Sequence, residues 1–224
     1  MRTSNLDFST IDEIPTKIVY LVNLFIFYVY LSSFFVSSRP IDGSPKYTWL
    51  ATLPVFIFVY PAIMIAAYHT HPYPTTYEWL FAGWRDGVPG EGRPYEQLWI
   101  CTFVAHMVKD FATSSPSAIF IAHHVFSINI ALTFLYSDAQ PTILCLGGTI
   151  MELGSATYNA AVVYPTTPFL LSLNKWGMTA SNTLALFLLC VYIYENHAHP
   201  FRVSLAIGAC AICAFRQYVL KSSG

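Results

Sequence analysis

The segment 117–136, SAIFIAHHVFSINIALTFLY, contains no Asp, Glu, Lys or Arg. A helix needs about 20 mostly apolar residues to cross the hydrocarbon core of a bilayer, so this segment is long enough to do so. Two adjacent histidines, His123 and His124, lie in its middle. Imidazoles at membrane depth are unfavourable unless other groups pair with them or use them. The segment therefore predicts a membrane fold and also marks the place to look for a functional site.

The composition of the whole chain agrees with a membrane protein. Hydrophobic residues make up 55% of it and charged residues only 10%, whereas soluble domains carry about 25% charged residues. The net charge of -1 comes with no basic cluster of the kind that binds nucleic acid or anionic lipid head groups. Apolar segments and short connections account for most of the chain, which indicates a single membrane domain.

We predict an all-α, polytopic protein with about seven membrane-spanning helices. The predicted spans are 18–36, 49–68, 95–112, 117–136, 142–164, 176–194 and 201–219. Pro54 and Pro61 predict a kink in the second span. Arg202 and Arg216, near the two ends of the last span, are expected to extend outward to the membrane surface. The third, fourth and fifth spans are joined by a few residues only, so we expect them to be antiparallel neighbours.

Those three neighbouring spans carry polar side chains at membrane depth. His106 and Asp110 are four residues apart and therefore share a helix face. Ser127 follows His123 by one turn, whereas His124 is rotated from His123 by about 100°. The two imidazole rings are therefore expected to face different places and to have different roles.

The fifth span adds a stripe formed by Glu152, Ser155 and Asn159. Converging stripes on three neighbouring helices predict one interior pocket. Its imidazoles, carboxylates and hydroxyls suit general acid–base chemistry, or nucleophilic catalysis by a histidine that a carboxylate orients. The alternative is that these groups only hydrogen-bond the helices together. Lys109 is expected to pair with Asp110 or to reach the membrane surface.

The spacing of the histidines and cysteines predicts no metal site. The chain lacks the HxxxH and HxxHH clusters of membrane oxygenases, and no ligand spacing for structural zinc is present. Cys210 and Cys213 have a CxxC spacing, but their apolar surroundings favour a role as small residues in helix packing.

The order of three motifs resembles the TLC domain family of multi-span membrane proteins. These motifs are Lys109-Asp110, His123-His124 and Glu152-Leu-Gly-Ser-Ala-Thr-Tyr-Asn159. The resemblance covers about 48–219. It implies a barrel-like bundle of six helices around a lipid-accessible interior, formed by 48–220. Residues 1–47 would then form an N-terminal tail and a peripheral first span.

The resemblance also implies roles for the site residues. In the ceramide synthases of this family, the histidine pair belongs to the active site that passes an acyl chain from acyl-CoA to a sphingoid amine. By this likeness, His123 or His124 would be the acyl acceptor or general base, with Asp110 and Glu152 as orienting acids. The expected substrate-binding residues are His106, Ser127, Ser155 and Asn159. The synthases carry a second acid where this chain has Ala156, so the resemblance is closer to TLC-domain proteins outside the synthases.

The expected function is therefore lipid handling that contributes to membrane phospholipid or sphingolipid composition and homeostasis. The expected partners are membrane lipids, not nucleic acid, with acyl-CoA as a co-substrate if the protein is an acyltransferase, and with no other cofactor. The expected location is the endoplasmic reticulum or, alternatively, the plasma membrane. Two other functions stay open: non-catalytic lipid binding or trafficking from the endoplasmic reticulum, and a small transporter or proton relay.

Overall fold

The computed structural model describes residues 46–84, 92–113, 118–136 and 140–222, and every regular element in them is helical. The elements are α1 (Lys46–Pro54), a π-helical turn (Val55–Val59), α2 (Tyr60–Thr70), α3 (Thr76–Phe81), α4 (Pro94–Thr113), α5 (Ala118–Tyr136), α6 (Pro141–Val163), α7 (Pro168–Glu195) and α8 (Pro200–Ser222). The expected first span, 18–36, lies outside the described residues. The expected N-terminal region 1–47 lies outside them too, except for its last two residues.

Prolines mark the starts of the long helices. Helices α4, α6, α7 and α8 begin at Pro94, Pro141, Pro168 and Pro200. Proline suits the first turn of a helix because its fixed φ is already helical and its missing N–H has no partner there. Helix α7 begins at Pro168 and not at 176, because Pro168 suits the first turn of the helix; its second turn includes Lys175, which is exposed.

The segment with the two prolines contains the π-helical turn. The N–H of Tyr60 donates to the carbonyl of Val55, five residues earlier. Pro54 and Pro61 have no N–H, so the regular hydrogen-bond ladder is interrupted on both sides of this turn. The turn buries Phe56 and Tyr60 in the core. It therefore brings two aromatic side chains against α4.

Helix α6 is the centre of the described bundle. It contacts α1 through α5 and α7, while α8 packs on α7. Helices α4, α5 and α6 contact one another in all three pairs, as the short connections predict. The hydroxyl of Tyr77 donates to the carboxylate of Glu195 at 2.6 Å, which ties α3 to the end of α7.

A buried network joins α3 to the starts of α4 and α6. Arg93 donates to the carbonyl of Trp79 at 3.0 Å, to the hydroxyl of Thr142, and to the carboxylate of Glu96 at 3.3 Å. Thr142 and the Trp79 indole also donate to Glu96, at 2.9 and 3.1 Å. The guanidinium carbon of Arg93 lies 4.7 Å from the centre of the Tyr73 ring. The network satisfies a buried charge pair that the apolar surroundings alone would disfavour.

Large apolar side chains lie on the outer surface of the described bundle. By length and composition, the helical stretches Thr52–Thr70 and Pro168–Glu195 could each cross a membrane, with mean hydropathies of 1.6 and 1.5. Only 33% and 28% of their apolar windows are buried, so most of each apolar window is not covered by the described bundle. Phe120–Tyr136 is a shorter apolar helix. Several large side chains on the surface are between 60% and 70% exposed: Phe58, Phe169, Trp176, Phe187 and Phe201.

Candidate functional site

Asp110, near the end of α4, is the centre of a buried polar cluster. One of its oxygens, Oδ2, lies 2.9 Å from Nε2 of His124 and 3.9 Å from Nε2 of His106. The other, Oδ1, lies 3.0 Å from Nζ of Lys109. Lys109 therefore pairs with Asp110 and does not reach the membrane surface. The carboxylate joins α4 to α5 and is the shared partner of three basic side chains.

Hydrogen bonds and ring contacts fix the orientation of the His124 imidazole. Its Nδ1 lies 3.0 Å from the carbonyl oxygen of Phe120, so this nitrogen carries the proton that it donates, because a carbonyl can only accept. Its Nε2 faces Asp110. The ring of Phe120 stacks on the imidazole with 3.9 Å between centroids, and Phe111 contacts it edge-on at 5.6 Å. Both ring nitrogens of His124 are thus engaged within the protein.

His123 faces a different place, as its rotation from His124 predicts. The two rings lie 5.4 Å apart and nearly perpendicular, at 84°. His123 lines a cavity between α4, α5, α6, α7 and α8. Within the described residues, no hydrogen-bond partner is recorded for its ring. It is therefore the histidine of the pair that a ligand can reach.

The cavity has a volume of about 100 Å³ and a mostly apolar lining. Four of its lining side chains are strongly polar: His123, Ser127, Glu152 and Arg216. Pockets for small molecules usually combine apolar walls with a few polar groups that fix the orientation of the ligand.

The polar groups lie at one end of this cavity. On α5 the lining extends from His123 to Phe134, and on α8 from Arg216 back to Leu205. Each stretch spans about 16 Å of helix at 1.5 Å per residue. His123 interacts electrostatically with Arg216 at one end, and Phe134 contacts Tyr192 with ring centroids 6.0 Å apart at the other. The cavity is thus elongated, with a polar end and an apolar end.

Arg216 points into the bundle, so the expectation that it extends outward is wrong. Its Nη2 donates to the carbonyl of Met151 at 2.9 Å and to the hydroxyl of Ser155 at 3.3 Å, and lies 3.3 Å from Sδ of Met178. It also interacts electrostatically with Glu152. Buried acceptors and an opposite charge stabilise the guanidinium inside the bundle. The sequence contained one signal for this arrangement. Glu152 is a lone acid on an apolar helix, and a cation from another helix would stabilise it.

Glu152 lines the cavity from α6 and is buried. It interacts electrostatically with Arg216, His124 and Asp110. No direct ion pair joins it to Arg216 in the part of the chain that the structure describes. The carboxyl group of Glu152 therefore faces the cavity and also interacts electrostatically with the cluster around Asp110.

The remaining expected site residues lie outside the cavity lining. Asn159 donates to the hydroxyl of Thr52 at 2.7 Å and so joins α6 to α1. Ser155 binds Arg216 and the carbonyl of Met151. His106 packs edge-on against Phe56 at 5.1 Å. The structure thus brings His123, Ser127 and Glu152 to the cavity, and gathers His106, Asp110 and His124 into the neighbouring cluster.

The described residues contain no group of three or more His, Cys, Asp or Glu side chains placed to hold a metal ion. No family model, curated protein or solved structure matches the chain. What the site can do is therefore inferred from its geometry. That geometry is an elongated apolar cavity with an imidazole, a carboxylate and a guanidinium at one end.

Proposed function

We propose that this chain is a multi-span membrane protein that handles lipids and contributes to the phospholipid or sphingolipid composition of its membrane. The observation that carries the proposal is the shape of the cavity. It extends for about 16 Å of helix between apolar walls and ends at His123, Glu152 and Arg216. A molecule with a hydrocarbon chain and a polar head group matches that distribution.

A membrane location is supported by the placement of charge and apolar surface. Arg93, Glu96 and Lys109 are buried, whereas large side chains such as Phe169 and Trp176 are exposed. In water, an exposed apolar surface of this kind is unfavourable, but against lipid it is the stable arrangement. We propose seven spans, counting 18–36. Helices α4, α6 and α8 carry the charged side chains Glu96, Lys109, Asp110, Glu152 and Arg216, and these side chains face the interior of the bundle.

The resemblance to the TLC domain family supports the same function. Two of its motifs meet directly in space, since Asp110 and His124 lie 2.9 Å apart. The third brings Glu152 within electrostatic range of both. We therefore propose a TLC-like bundle for 48–220, in the endoplasmic reticulum or alternatively the plasma membrane.

The geometry favours lipid binding over acyl transfer. His124 has an orienting acid, but both of its ring nitrogens are engaged. His123 faces the cavity, but among the described residues no carboxylate is recorded within hydrogen-bond distance of its ring. Nucleophilic or general-base catalysis needs both properties in one histidine. Here the orienting acid belongs to His124 and the open ring belongs to His123, so neither histidine has both properties.

Acyl transfer at His123 is the second candidate, because its ring is open to the cavity. Acyl-CoA would be the donor. An imidazole nitrogen would attack the thioester carbon, the C–S bond would break, and the proton of the imidazole ring would pass to the sulfur, so that coenzyme A leaves as its thiol. A lipid amine would then attack the acyl-imidazole, the C–N bond to the ring would break, and the amine proton would pass to the imidazole as the amide forms, which frees His123.

The test is the lipid composition of cells that lack the protein, after complementation at equal abundance with the wild type, His123→Gln or His197→Gln. His197 is a matched control, because it is exposed and its hydrogen bond among the described residues is to the nearby carbonyl of Tyr194, at 2.8 Å. We expect deletion to shift the phospholipid or sphingolipid profile, and the wild type and His197→Gln to restore it, whereas His123→Gln does not. An unchanged profile after deletion would contradict the proposal.

A second measurement separates the two candidates. Purified protein is incubated with a labelled acyl-CoA and a lipid amine. Transfer of the label that depends on His123 would identify an acyltransferase. Binding of lipid without any transfer would identify the non-catalytic function.

A further inference from the structure

The polar end of the cavity presents two opposite charges that do not pair directly. Arg216 and Glu152 both line it and interact electrostatically, but no direct ion pair joins them among the described residues. Ser155 interacts with each of them, but a buried charge is better stabilised when an opposite charge also contacts it directly. A bound molecule that meets both charges would therefore be stabilised at this end.

We infer that the cavity takes a single-chain lipid whose head group carries an anionic oxygen for Arg216 and a hydrogen-bond donor for Glu152, as a lysophospholipid does. The inference rests on the proposed lipid-handling function. It goes beyond that function by naming the class of lipid and the residues that select its head group.

Arg216 is held in place but keeps donors free. Its recorded hydrogen bonds all involve Nη2, which binds Met151, Ser155 and Met178. Nη1 and Nε have no hydrogen-bond partner among the residues that the structure describes. A guanidinium that is anchored by one nitrogen and open at the others suits a phosphate or carboxylate oxygen. The anchoring also reduces the conformational entropy that binding must overcome.

Glu152 supplies the complementary group. Its carboxyl oxygens can accept hydrogen bonds, so a head group with a hydroxyl, amide or ammonium donor on this side is favoured. A purely cationic head group would be repelled by Arg216. A purely neutral one would leave the guanidinium donors unused.

The dimensions of the cavity favour one hydrocarbon chain. Its elongated shape, with apolar walls along about 16 Å of helix, matches one extended hydrocarbon chain. Gly147 lies in the wall, and a Cβ atom there would meet no other atom within 4 Å. The open space beside Gly147 belongs to the apolar part of the cavity, where the chain would lie.

The test is direct binding to the purified full-length protein in phosphatidylcholine nanodiscs. Labelled lysophosphatidic acid, which has a phosphate and a hydroxyl, is compared with a fatty alcohol and a fatty amine of the same chain length. We expect lysophosphatidic acid to bind at least tenfold more tightly than either. Arg216→Gln should remove that preference, while Arg202→Gln should keep it, because Arg202 lies on the same helix but outside the cavity lining.

Two further variants keep the test decisive if Arg216→Gln fails to fold. Arg216→Lys retains the charge and should retain part of the preference for lysophosphatidic acid. Gly147→Leu should weaken the binding of all three lipids, since it fills the chain region. Equal binding of the three lipids to the wild type would overturn the inference and leave the proposed function standing. Binding of none of them would count against both.

Discussion

The carboxylate of Asp110 and the imidazole of His124 lie 2.9 Å apart and join two consecutive helices of the bundle. The same carboxylate also pairs with Lys109 at 3.0 Å. Asp110 is thus an anionic partner that these basic side chains share. The stability of the bundle should depend on it.

Asp110→Ala should lower the free energy of unfolding by about 3–5 kcal/mol, because it removes the buried carboxylate that contacts both His124 and Lys109. The measurement is denaturant-induced unfolding in a mild detergent. Asn129→Ala is the control, since Asn129 is exposed and donates only within its own helix, to the carbonyl of Val125 at 2.7 Å; its effect should stay within about 0.5 kcal/mol. Similar losses for the two variants would contradict the role given to Asp110.

The adjacent glycines of α6 should respond in opposite directions to alanine. At Gly148 a Cβ would collide with the indole of Trp99, whose Nε1 donates to Thr149 at 2.8 Å. Overpacking of this kind costs about 1–3 kcal/mol. At Gly147 the Cβ enters open space, so Gly147→Ala should stabilise the helix by about 0.5–1 kcal/mol. Unfolding midpoints of the two variants check this, and a shift in the same direction would contradict the packing described.

Replacing Arg93 should loosen the segment between α2 and α4. Arg93→Leu leaves the Glu96 carboxylate buried without its cation, at an expected cost of about 3–5 kcal/mol, and releases the carbonyl of Trp79. Limited proteolysis should then cut within 71–92 faster than in the wild type. Lys175→Leu removes an exposed cation of α7 and should leave the cleavage rate unchanged. Equal cleavage of the Arg93 variant and the wild type would show that the network does not hold this segment.

Asn159 should act in helix packing and not in lipid recognition. A double-mutant cycle with Asn159→Leu and Thr52→Val should give a coupling of about 0.6 kcal/mol, the usual size of a hydrogen bond between membrane helices. Asn159→Leu should also restore the lipid profile of deleted cells, unlike His123→Gln. If Asn159→Leu failed to restore the profile at normal protein abundance, the result would show that Asn159 takes part in lipid recognition.

The contacts that the sequence could predict are local in the chain. Short connections make α4, α5 and α6 neighbours, and helical periodicity separates His123 from His124. The pairing of Asp110 with Lys109 follows from their adjacency. These inferences need only the helix repeat and the length of the connections.

The contacts that it could not predict depend on how distant helices are rotated against each other. Arg216 meets Met151 across 65 residues, and no periodicity within α8 shows which face turns toward α6. Asn159 shares a stripe with Glu152 but lies about 10 Å farther along the helix. It therefore meets α1 and not the cavity. Similarly, Arg93 donates to Thr142, which is 49 residues away in the chain. The two residues meet only in the folded bundle.

Arg93 and the charged side chains of α4 have a consequence for the order of insertion in the multi-span membrane arrangement proposed above. The ribosome completes Arg93, Glu96, Lys109 and Asp110 before it reaches either His124 or Thr142, which supply the hydrogen bonds described above. In a bilayer, α4 alone would expose these charged side chains to lipid, at several kcal/mol for each. Helix α4 should therefore be retained in the membrane only after α5 and the start of α6 have been synthesised. Insertion of α4 thus depends on segments that are synthesised after it.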